Sequence, residues 1–343
     1  MARRILWGSL ALTPAAIVAR FAFHLDETVL FVLAAAALVP LAWLVGEATE
    51  HAAQHTGAGV GGFLNASFGN APELIIALFA VADALPGVVR GSLTGSVVSN
   101  ILLVLGAAMI AGGDGKVDAR SLRWQLFAVV GAVALIAIPS ALAWNGGSHE
   151  RHSLYLLSLP IAVVLLAAYL ALTFVNLRIH RAAERDEPRE GSWSLKASLL
   201  LLGGATAATA IVSEILVHSL DHFGKAVGLD EFFIAAVIVA IVGNAAEHGG
   251  AILIARRGNT TLATEIAITS SMQVAVFVMP AVCLLSWIVG RGLPLSFRVV
   301  EVVTMAAAAV FAAVVVWDGR SRRWEGVLLV GAYAAAVAWY LFA

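Results

Sequence analysis

Gly69-Asn70-Ala71-Pro72-Glu73 and Gly243-Asn244-Ala245-Ala246-Glu247 are two short stretches of this chain that nearly repeat each other. Each places an amide and a carboxylate inside an otherwise apolar run, and the two halves around them align without a gap. Ionisable groups inside membrane segments cost roughly 2.5–3.5 kcal/mol each on insertion scales, so they mark a functional site by default. We therefore interpret the two acids as the centre around which two related halves are organised.

The composition indicates a polytopic membrane protein. The chain has 343 residues, of which 61% are hydrophobic and 13% are charged, whereas ordinary soluble domains contain about 25% charged residues. A formal net charge of −1 excludes a strongly basic nucleic-acid-binding protein. Cys283 is the single cysteine, so no disulfide and no cysteine-based metal site can form within one chain. Arg3 and Arg4 before an apolar run also fit a signal peptide, but the run continues and reads better as a first span.

Runs of about 20 apolar residues predict an all-α protein with about eleven transmembrane helices. The predicted spans are Ile5–His24, Thr28–Ala53, Val60–Leu85, Val88–Ala111, Leu122–Trp144, Leu154–Asn176, Leu195–Leu220, Phe232–Ala255, Leu262–Val289, Phe297–Trp317 and Trp324–Phe342. Because cytoplasmic loops hold the excess of Lys and Arg, the basic residues predict a cytoplasmic N-terminus and an outside C-terminus. We expect an integral protein of the plasma membrane, which is the inner membrane in a bacterium.

The predicted organisation is a lone N-terminal helix (1–26), a first five-helix repeat (27–177), a charged cytoplasmic linker (178–194) and a second five-helix repeat (195–343). A repeat with an odd number of spans must re-enter the membrane upside down, which is the inverted-repeat architecture of secondary transporters. The linker contains RIHRAAERDEPRE at 178–190. It is either a solvated connection or a regulatory, ion-sensing acidic segment.

The two repeated stretches predict a cation site built from oxygen atoms. Gly69 and Pro72 weaken the helix, so we expect its backbone to open beside Glu73. A spacing of three residues puts each amide, Asn70 or Asn244, on the same helix face as its acid. Carboxylate, amide and backbone oxygens are the ligands of Ca²⁺. The alternative is that each glutamate pairs with a neighbouring polar group and only locks helices together.

A second polar patch recurs in the span that follows each glutamate. Ser96 aligns with Ser270, and Ser99 aligns with Gln273. Asn100 extends the patch in the first half, and His248 follows Glu247 where Leu74 follows Glu73. These residues are candidate ligands or proton carriers, although small polar residues in membrane helices also serve close packing.

A third group lies on one helical stripe, where His51 and His55 follow Glu47, with Glu50 close by. Glu214 begins the matching stripe of the second half, followed by His218 and His222 at the same spacings. Such a stripe fits a proton or cation relay, a metal site, or ordinary polar packing.

Four segments resemble the calcium/proton antiporters, the CAX branch of the cation/calcium exchanger superfamily. They are HTGAGVGGFLNASFGNAPELIIALFA (55–80), SLTGSVVSNILLVLG (92–106), FFIAAVIVAIVGNAAEHGGAI (232–252) and SSMQVAVFVMP (270–280). The resemblance implies an eleven-helix plan with Glu73 and Glu247 as the central Ca²⁺ ligands. By position it also places Asn70, Asn244, Ser99 and Gln273 nearby, and Glu50 and Glu214 at flanking acidic positions. The chain departs from the family pattern at Pro72, at Thr269 and in its arginine-rich linker.

The sequence thus predicts a secondary transporter that exchanges Ca²⁺ for protons by alternating access, with the two glutamates binding either ion in turn. We expect transported Ca²⁺ and H⁺ and a lipid bilayer as partners, no nucleic acid, no cofactor and no enzymatic activity, and a homo-oligomer is compatible with the sequence. The alternatives are a Na⁺/Ca²⁺ or other cation/H⁺ exchanger, a passive channel, and an intramembrane metalloenzyme that uses Glu47, His51 and His55.

Overall fold

The computed structural model describes residues 2–144, 147–180, 193–290 and 292–342, without the side chains of 2–3, 57–63, 65–66 and 175–180. The α-helices of this part of the chain are α1 (Ala2–Ser9), α2 (Leu12–Val18), α3 (Glu27–Gly69), α4 (Ala71–Ala82), α5 (Pro86–Val98), α6 (Leu105–Gly112), α7 (Ala119–Trp144), α8 (His152–His180), α9 (Leu195–Val227), α10 (Glu231–Ile234), α11 (Ala240–Gly243), α12 (Ala245–Arg256), α13 (Thr260–Gln273), α14 (Met279–Leu285), α15 (Val299–Val315) and α16 (Arg323–Tyr340). Two short strands, β1 (Gly115–Lys116) and β2 (Arg320–Ser321), pair antiparallel.

The predicted all-α class is confirmed. Within the described ranges, 7 helices are long and apolar enough to cross a membrane, and the pair α10–α11 and α12, which is bent by 58°, raises the number to 8. The helices α4 and α15 are apolar but shorter. The number of eleven spans is not confirmed by length and composition, since three of the predicted spans are short, broken or less apolar helices.

The two halves repeat most closely at the helices that carry the glutamates. Helix α4 and helix α12 are both 12 residues long, and each begins directly after an asparagine. The helices that follow them, α5 and α13, each pass into a π-helical segment, Ser99–Val104 and Val274–Val278. Such π-helical turns inside α-helices are frequent at functional sites. They occur here at matching positions, next to the polar patches.

The predicted boundary between the second and third spans is wrong. Residues 54–59 were expected to separate two helices, but α3 is one continuous helix of 43 residues that ends at Gly69. The second half does have a turn at the matching place, because Gly228 adopts the left-handed conformation with φ 73° and Asp230 accepts a hydrogen bond from Phe232 N–H. Glycine ends a helix and aspartate begins one. Gln54 stands in place of Gly228, so the glycine that ends a helix is missing there, and the Thr56 hydroxyl donates to Ala52 O within α3.

The long helices α3 and α9 pack against each other along most of their described length, and α4 and α12 lie against this pair. Helix α2 packs on the same two helices from one side. The buried apolar side chains form one large cluster that includes Leu30, Ile76, Ile101, Leu216 and Val274. The broken ends of α4 and α12 therefore lie inside the bundle, surrounded by apolar packing.

The charged linker was predicted to begin at residue 178, but 178–180 still belong to α8. Residues 181–192 lie outside the described part of the chain, so the linker prediction stays untested there. At the same end of the bundle, β1 and β2 join the two halves, with Lys116 paired to Arg320. Hydrogen bonds from the Arg320 backbone N–H and the Arg322 side chain hold the pKa of Asp318 below its usual value beside this pairing.

Candidate ion-binding site

Both glutamates lie in the first turn of a helix that follows a break in the backbone. Asn70 ends α3 with φ −99° and ψ 16°, and Asn244 ends α11 with φ −95° and ψ 8°. Glu73 and Glu247 are the acidic residues in the first turns of α4 and α12. The N-terminus of a helix carries a partial positive charge that stabilises a carboxylate there. The predicted opening of the helix is thus present in both halves, and in the second half it forms without a proline.

Pro72 is compatible with a helix here because it lies at the start of α4, the helix that begins after the break at Asn70. It lies in the first turn of α4, where the missing backbone N–H has no partner to lose. The residue therefore helps to start α4 and does not break α3, which already ends at Gly69.

Each carboxylate reaches the backbone of the other half, in a reciprocal arrangement. A Cβ placed on Gly243 would lie 3.5 Å from Glu73 Oε1, and a Cβ placed on Gly69 would lie 3.6 Å from Glu247 Oε1. Each acid therefore reaches the glycine that precedes the break in the other half. Glycine at these two positions keeps the space beside each carboxylate open.

One oxygen of each glutamate has no hydrogen-bond partner among the described residues. Glu73 Oε2 and Glu247 Oε2 are both buried in this way, and neither glutamate forms an ion pair with a described Lys or Arg. A buried polar atom that lacks a partner costs about 1–3 kcal/mol or more when charged. The arrangement is therefore expected to receive a cation or protons at these oxygens.

Amide and hydroxyl groups from both halves surround the glutamates. Asn70 Nδ2 donates to Gln273 Oε1 at 2.8 Å, which joins the break of the first half to the polar patch of the second. Asn244 Nδ2 donates to Ser96 Oγ at 2.9 Å and to Ala240 O at 2.9 Å. The predicted residues of the two motifs and the two patches are thus brought together, and the contacts cross from one half to the other.

A further layer of hydrogen bonds between the two halves supports the Asn244 break. His248 Nε2 lies 3.0 Å from Asn100 Oδ1. The Asn100 amide in turn donates to Ser270 Oγ at 3.1 Å and to Asn244 Oδ1 at 3.3 Å. In the repeat, Leu74 corresponds to His248 and Val274 corresponds to Asn100, and neither of these apolar side chains can form such bonds. His248 and Asn100 therefore support the Asn244 break.

Ser99 has a more local contact than expected. It is fully buried, and its hydroxyl donates to Ser96 O at 3.3 Å, within its own helix. Ser270 is buried as well, and its hydroxyl is a hydrogen-bonding neighbour of the Glu247 carboxylate. Among the predicted hydroxyl ligands in the described part of the chain, Ser270 is thus the one with a hydrogen bond to a glutamate, Glu247.

The stripe of Glu47, His51 and His55 does not form the metal site that was one interpretation. His51 Nδ1 accepts the Trp193 N–H at 3.4 Å, and His55 Nε2 lies 2.7 Å from Trp193 O. Glu47 Oε1 is 3.8 Å from His51 Nε2. In the described part of the chain, no group of three or more His, Cys, Asp and Glu side chains is placed to hold a metal ion. The two histidines instead contact the backbone of Trp193, near the end of the predicted linker.

The other predicted acids of the access path lie at the surface of the chain. Glu50 is exposed at the end of the same stripe, and Glu214 and His218 are exposed on one face of α9. Their role in ion or proton access stays a prediction.

Sequence reasoning missed Gln125 and Glu265. The Gln125 amide accepts from Thr269 Oγ1 at 2.7 Å and donates to Glu265 Oε2 at 2.7 Å. The signal that could have found this group is the four-residue spacing of 261, 265, 269 and 273 on α13, all of which are polar.

Two broken helices from related halves, each presenting a carboxylate to the inside of an apolar helical bundle, define an integral membrane transporter of the inverted-repeat type. The sequence profile of one family, described as sodium/calcium exchanger protein, matches residues 27–178 and again 197–342. The chain therefore belongs to the sodium/calcium exchanger protein family.

Relatives and a solved structure agree with this membership. The chain is 38% identical over 325 residues to the Ca(2+)/H(+) antiporter ChaA of Bacillus subtilis (strain 168), covering 90% of this chain and 91% of that protein. It is 32% identical over 354 residues to the Ca(2+)/H(+) antiporter of Aphanothece halophytica, covering 96% and 94%. A crystal structure of the Ca2+/H+ antiporter protein YfkE superposes with a TM-score of 0.84 at 33% identity, covering 99% of this chain and 100% of that chain.

Proposed function

We propose that this protein exchanges Ca²⁺ for protons across the membrane, with Glu73 and Glu247 binding the two ions in turn. The observation that carries the proposal is the reciprocal placement of the two acids, each beside the glycine that precedes the break in the other half. Both halves contribute to such a site, so a movement of one half relative to the other can change which side of the membrane the site is open to. The names of the relatives support Ca²⁺ and H⁺ as the transported ions.

The donor atoms of the site favour a hard divalent cation. The two carboxylates, the amides of Asn70 and Asn244, and the Ser270 hydroxyl offer oxygen atoms, which Ca²⁺ binds in sets of 6–8 together with water. Two carboxylates neutralise the charge of one Ca²⁺. His248 Nε2 is engaged with Asn100 in this arrangement, so the imidazole acts as a support and not as a ligand.

Coupling follows from the cost of burying two negative charges close together. When Ca²⁺ leaves, the buried carboxylates repel each other, and burial in a low-dielectric site disfavours their charged forms. Protons then discharge the empty site. Because the carrier holds either Ca²⁺ or protons when it changes its access, one flux drives the other.

Alternating access needs the site to open to one side at a time. In transporters built from inverted repeats, one repeat rocks or slides against the other around a fixed site near the membrane midplane. We place the end of the bundle that carries Lys116, Arg320 and Arg322 in the cytoplasm of a plasma membrane, following the positive-inside rule. The N-terminus is then cytoplasmic and the C-terminus outside.

The direct test is an exchange assay in everted membrane vesicles that contain the full-length protein. With an imposed acid interior, added Ca²⁺ should dissipate the pH gradient, and labelled Ca²⁺ should accumulate inside, in a medium without sodium. A passive channel would carry Ca²⁺ without dissipating the gradient, so this result separates the two classes.

Glu73→Gln and Glu247→Gln test the site itself. Each variant keeps the shape of the side chain but cannot bind a divalent cation as a carboxylate does, so each should abolish Ca²⁺-dependent proton release. Glu231→Gln is the matched control, since Glu231 is an acidic residue in the first turn of α10, outside the site. Normal exchange by either of the first two variants, at equal amounts of folded protein, would falsify the assignment of the site.

A Na⁺/Ca²⁺ exchanger is the second candidate, because the family description names sodium. The same vesicles loaded with Na⁺ at equal pH on both sides distinguish it: Na⁺-dependent Ca²⁺ uptake without proton movement would favour this candidate. For the metalloenzyme interpretation, the result that would support it is a transition metal bound to the purified protein and lost in His51→Ala.

A further inference from the structure

Helix α13 carries a polar stripe that runs from one end of the bundle to the ion site. Its residues are Thr261, Glu265, Thr269 and Gln273, spaced by four positions, so that they lie on one face of the helix. Thr261 Oγ1 donates to Lys116 O at 3.0 Å, at the basic end that we assign to the cytoplasm. Gln273 Oε1 accepts from Asn70 in the site. The stripe thus begins at the rim and ends at the site.

Helix α7 lies opposite this stripe and contributes Ser121 and Gln125. We call the contact between the α13 stripe and these two residues the polar seam. Gln125 Nε2 donates to Glu265 Oε2 at 2.7 Å and to Ser121 Oγ at 3.1 Å. Thr269 Oγ1 donates to Gln125 Oε1 at 2.7 Å. The half-buried Glu265 carboxylate is therefore held between the rim and Thr269 by direct hydrogen bonds.

The helix that corresponds to α13 in the first half, α5, has glycine at three positions of the stripe. The positions that correspond to 261, 265 and 269 are Gly87, Gly91 and Gly95 on α5. A Cβ on Gly91 would lie 2.7 Å from Phe232 O, and a Cβ on Gly95 would overlap the backbone of Ala236. Close packing against the backbone of 232–236 therefore leaves no room for a side chain at Gly91 and Gly95. The polar contact between α13 and α7 therefore has no counterpart on α5 at Gly91 and Gly95, and the repeat as such does not require it.

Glu265 is the ionisable residue of the seam, and the other ionisable groups nearby lie on the helices and the strand packed against α13. Elements that pack against α13 are α12, α7, α6, α5, β1 and the neighbouring π-helical segments. Their ionisable residues are Glu247, His248 and Arg256 on α12, Arg120 and Arg123 on α7 with Asp118 before it, Arg90 on α5, and Lys116 on β1. Asp118 is the charged residue among them whose field acts on Glu265. Arg123 instead donates to Ala119 O and lies over the Trp317 ring.

We infer that Glu265 relays protons between the central site and the cytoplasmic end of the bundle, along the seam of Ser121, Gln125, Thr269 and Gln273. This inference rests on the proposed Ca²⁺/H⁺ exchange. A proton that leaves the Glu247 carboxyl as Ca²⁺ enters passes through water along the seam and binds the Glu265 carboxylate. Glu265 then releases it to cytoplasmic water and returns to its charged form, so nothing else is consumed.

The test compares two reactions of the same protein in everted vesicles. Ca²⁺/H⁺ exchange needs proton transfer to the cytoplasmic side, whereas exchange of labelled for unlabelled Ca²⁺ at equal pH does not. Glu265→Gln should lower Ca²⁺/H⁺ exchange by roughly tenfold, a modest value for a positioned acid–base group, and leave Ca²⁺/Ca²⁺ exchange at the wild-type rate. Glu265→Asp should restore most of the loss, and the dependence of the rate on the medium pH should lose one ionisation in Glu265→Gln.

Thr264→Val is the matched control on the same helix. Thr264 is buried, and its hydroxyl donates to Thr261 O within α13, away from Gln125, so both exchange reactions should stay at the wild-type rate. Equal losses of both reactions in Glu265→Gln, or no loss in either, would overturn the relay. Absence of Ca²⁺/H⁺ exchange in the wild-type protein would instead reject the proposed function, so the two failures are distinguishable.

Discussion

In the first half Glu73 lies between Pro72 and Leu74, whereas in the second half Glu247 lies between Ala246 and His248. Both acids begin helices of equal length after an asparagine. Asn70 donates to Gln273, while Asn244 is held by Ser96 and by Asn100, which also binds His248.

This comparison distinguishes features that the ion site needs from both halves from features that are found at only one of the two glutamates. Each half must provide one carboxylate, because one acid does not neutralise a divalent cation. The hydrogen bonds that hold the breaks are unequal, and the polar seam occurs on one side only. We therefore expect matching substitutions at features present at both glutamates to have similar effects on transport. Substitutions at a feature present at one glutamate should have no equivalent at the other.

The largest effect is expected where the halves differ most in packing. Gly95→Ala places a methyl group onto the Ala236 backbone, which cannot move aside as a flexible side chain can. Overpacking of this kind costs about 1–3 kcal/mol or more, so we expect less folded protein and no measurable transport. Thr269→Ala at the corresponding position should cost only about 0.5–1.5 kcal/mol, the contribution of one hydrogen bond.

The measurement is the thermal midpoint of the purified protein in detergent, together with the yield of monodisperse protein. Gly131→Ala is the control, since nothing lies within 4 Å of its added Cβ. A midpoint for Gly95→Ala equal to that of Thr269→Ala would show that the tight α5 packing is not a real difference between the halves.

The next effect tests the symmetry of the two glycines that face the acids. Gly69→Val and Gly243→Val extend a side chain from a Cβ that already lies 3.6 Å and 3.5 Å from the opposite carboxylate. We expect folded protein with Ca²⁺ transport reduced by roughly 10- to 100-fold, because displacements near 1 Å in a site have effects of this size. The readout is the Ca²⁺ dependence of exchange in vesicles.

Gly249→Val serves as the control on α12, where no atom lies within 4 Å of the added Cβ. The reciprocal site requires that Gly69→Val and Gly243→Val weaken Ca²⁺ transport by similar factors. A large effect of one and none of the other would break the symmetry and leave a single-sided site.

The last prediction concerns the hydrogen bond between His248 and Asn100, which supports the Asn244 break. His248→Leu gives the second half the residue type of the first and leaves Asn100 Oδ1 without its partner at 3.0 Å. We expect a destabilisation of about 1–3 kcal/mol, the cost of an unsatisfied buried acceptor. Leu74→Ala changes the corresponding residue of the other half and should not affect the Asn100 contacts.

A double-mutant cycle with Asn100→Val sharpens this result. Because the two side chains share one hydrogen bond, the double variant should be less destabilised than the sum of the single variants, by about 0.5–3 kcal/mol. Chemical denaturation in detergent gives the three values. Strict additivity would mean that the imidazole and the amide do not interact.

The sequence was a good guide to the site where the pattern was local. Asn70 and Glu73 share a spacing with Asn244 and Glu247, and the predicted opening of the backbone at these points is present in both halves. Glycine and asparagine weaken a helix at their own position, so this feature can be read without knowing the neighbours. The repeat also marked the two polar patches as candidate ligands, and the family resemblance implied that Ser99 and Gln273 lie near the two motifs.

The sequence was a poor guide to the length of α3. Runs of about 20 apolar residues predicted a boundary at 54–59, a segment that contains glycine, yet the backbone stays helical to Gly69. Glycine costs roughly 1 kcal/mol in a helix, and packing against α9 can offset that cost. The predicted number of eleven spans is not confirmed for a related reason. Tertiary packing can hold short or less apolar helices in the bundle, and neither length nor composition identifies these as spans.

The sequence alone determined the membrane class, the duplicated halves and the two acids, because composition, repetition and spacing are properties of the chain itself. Only the tertiary structure decided that Glu73 faces Gly243 and Glu247 faces Gly69, that Asn100 joins His248 to Asn244, and that Gln125 meets Glu265. These contacts join residues far apart in the chain. Their partners are selected by how the helices pack, and local propensity carries no information about that choice.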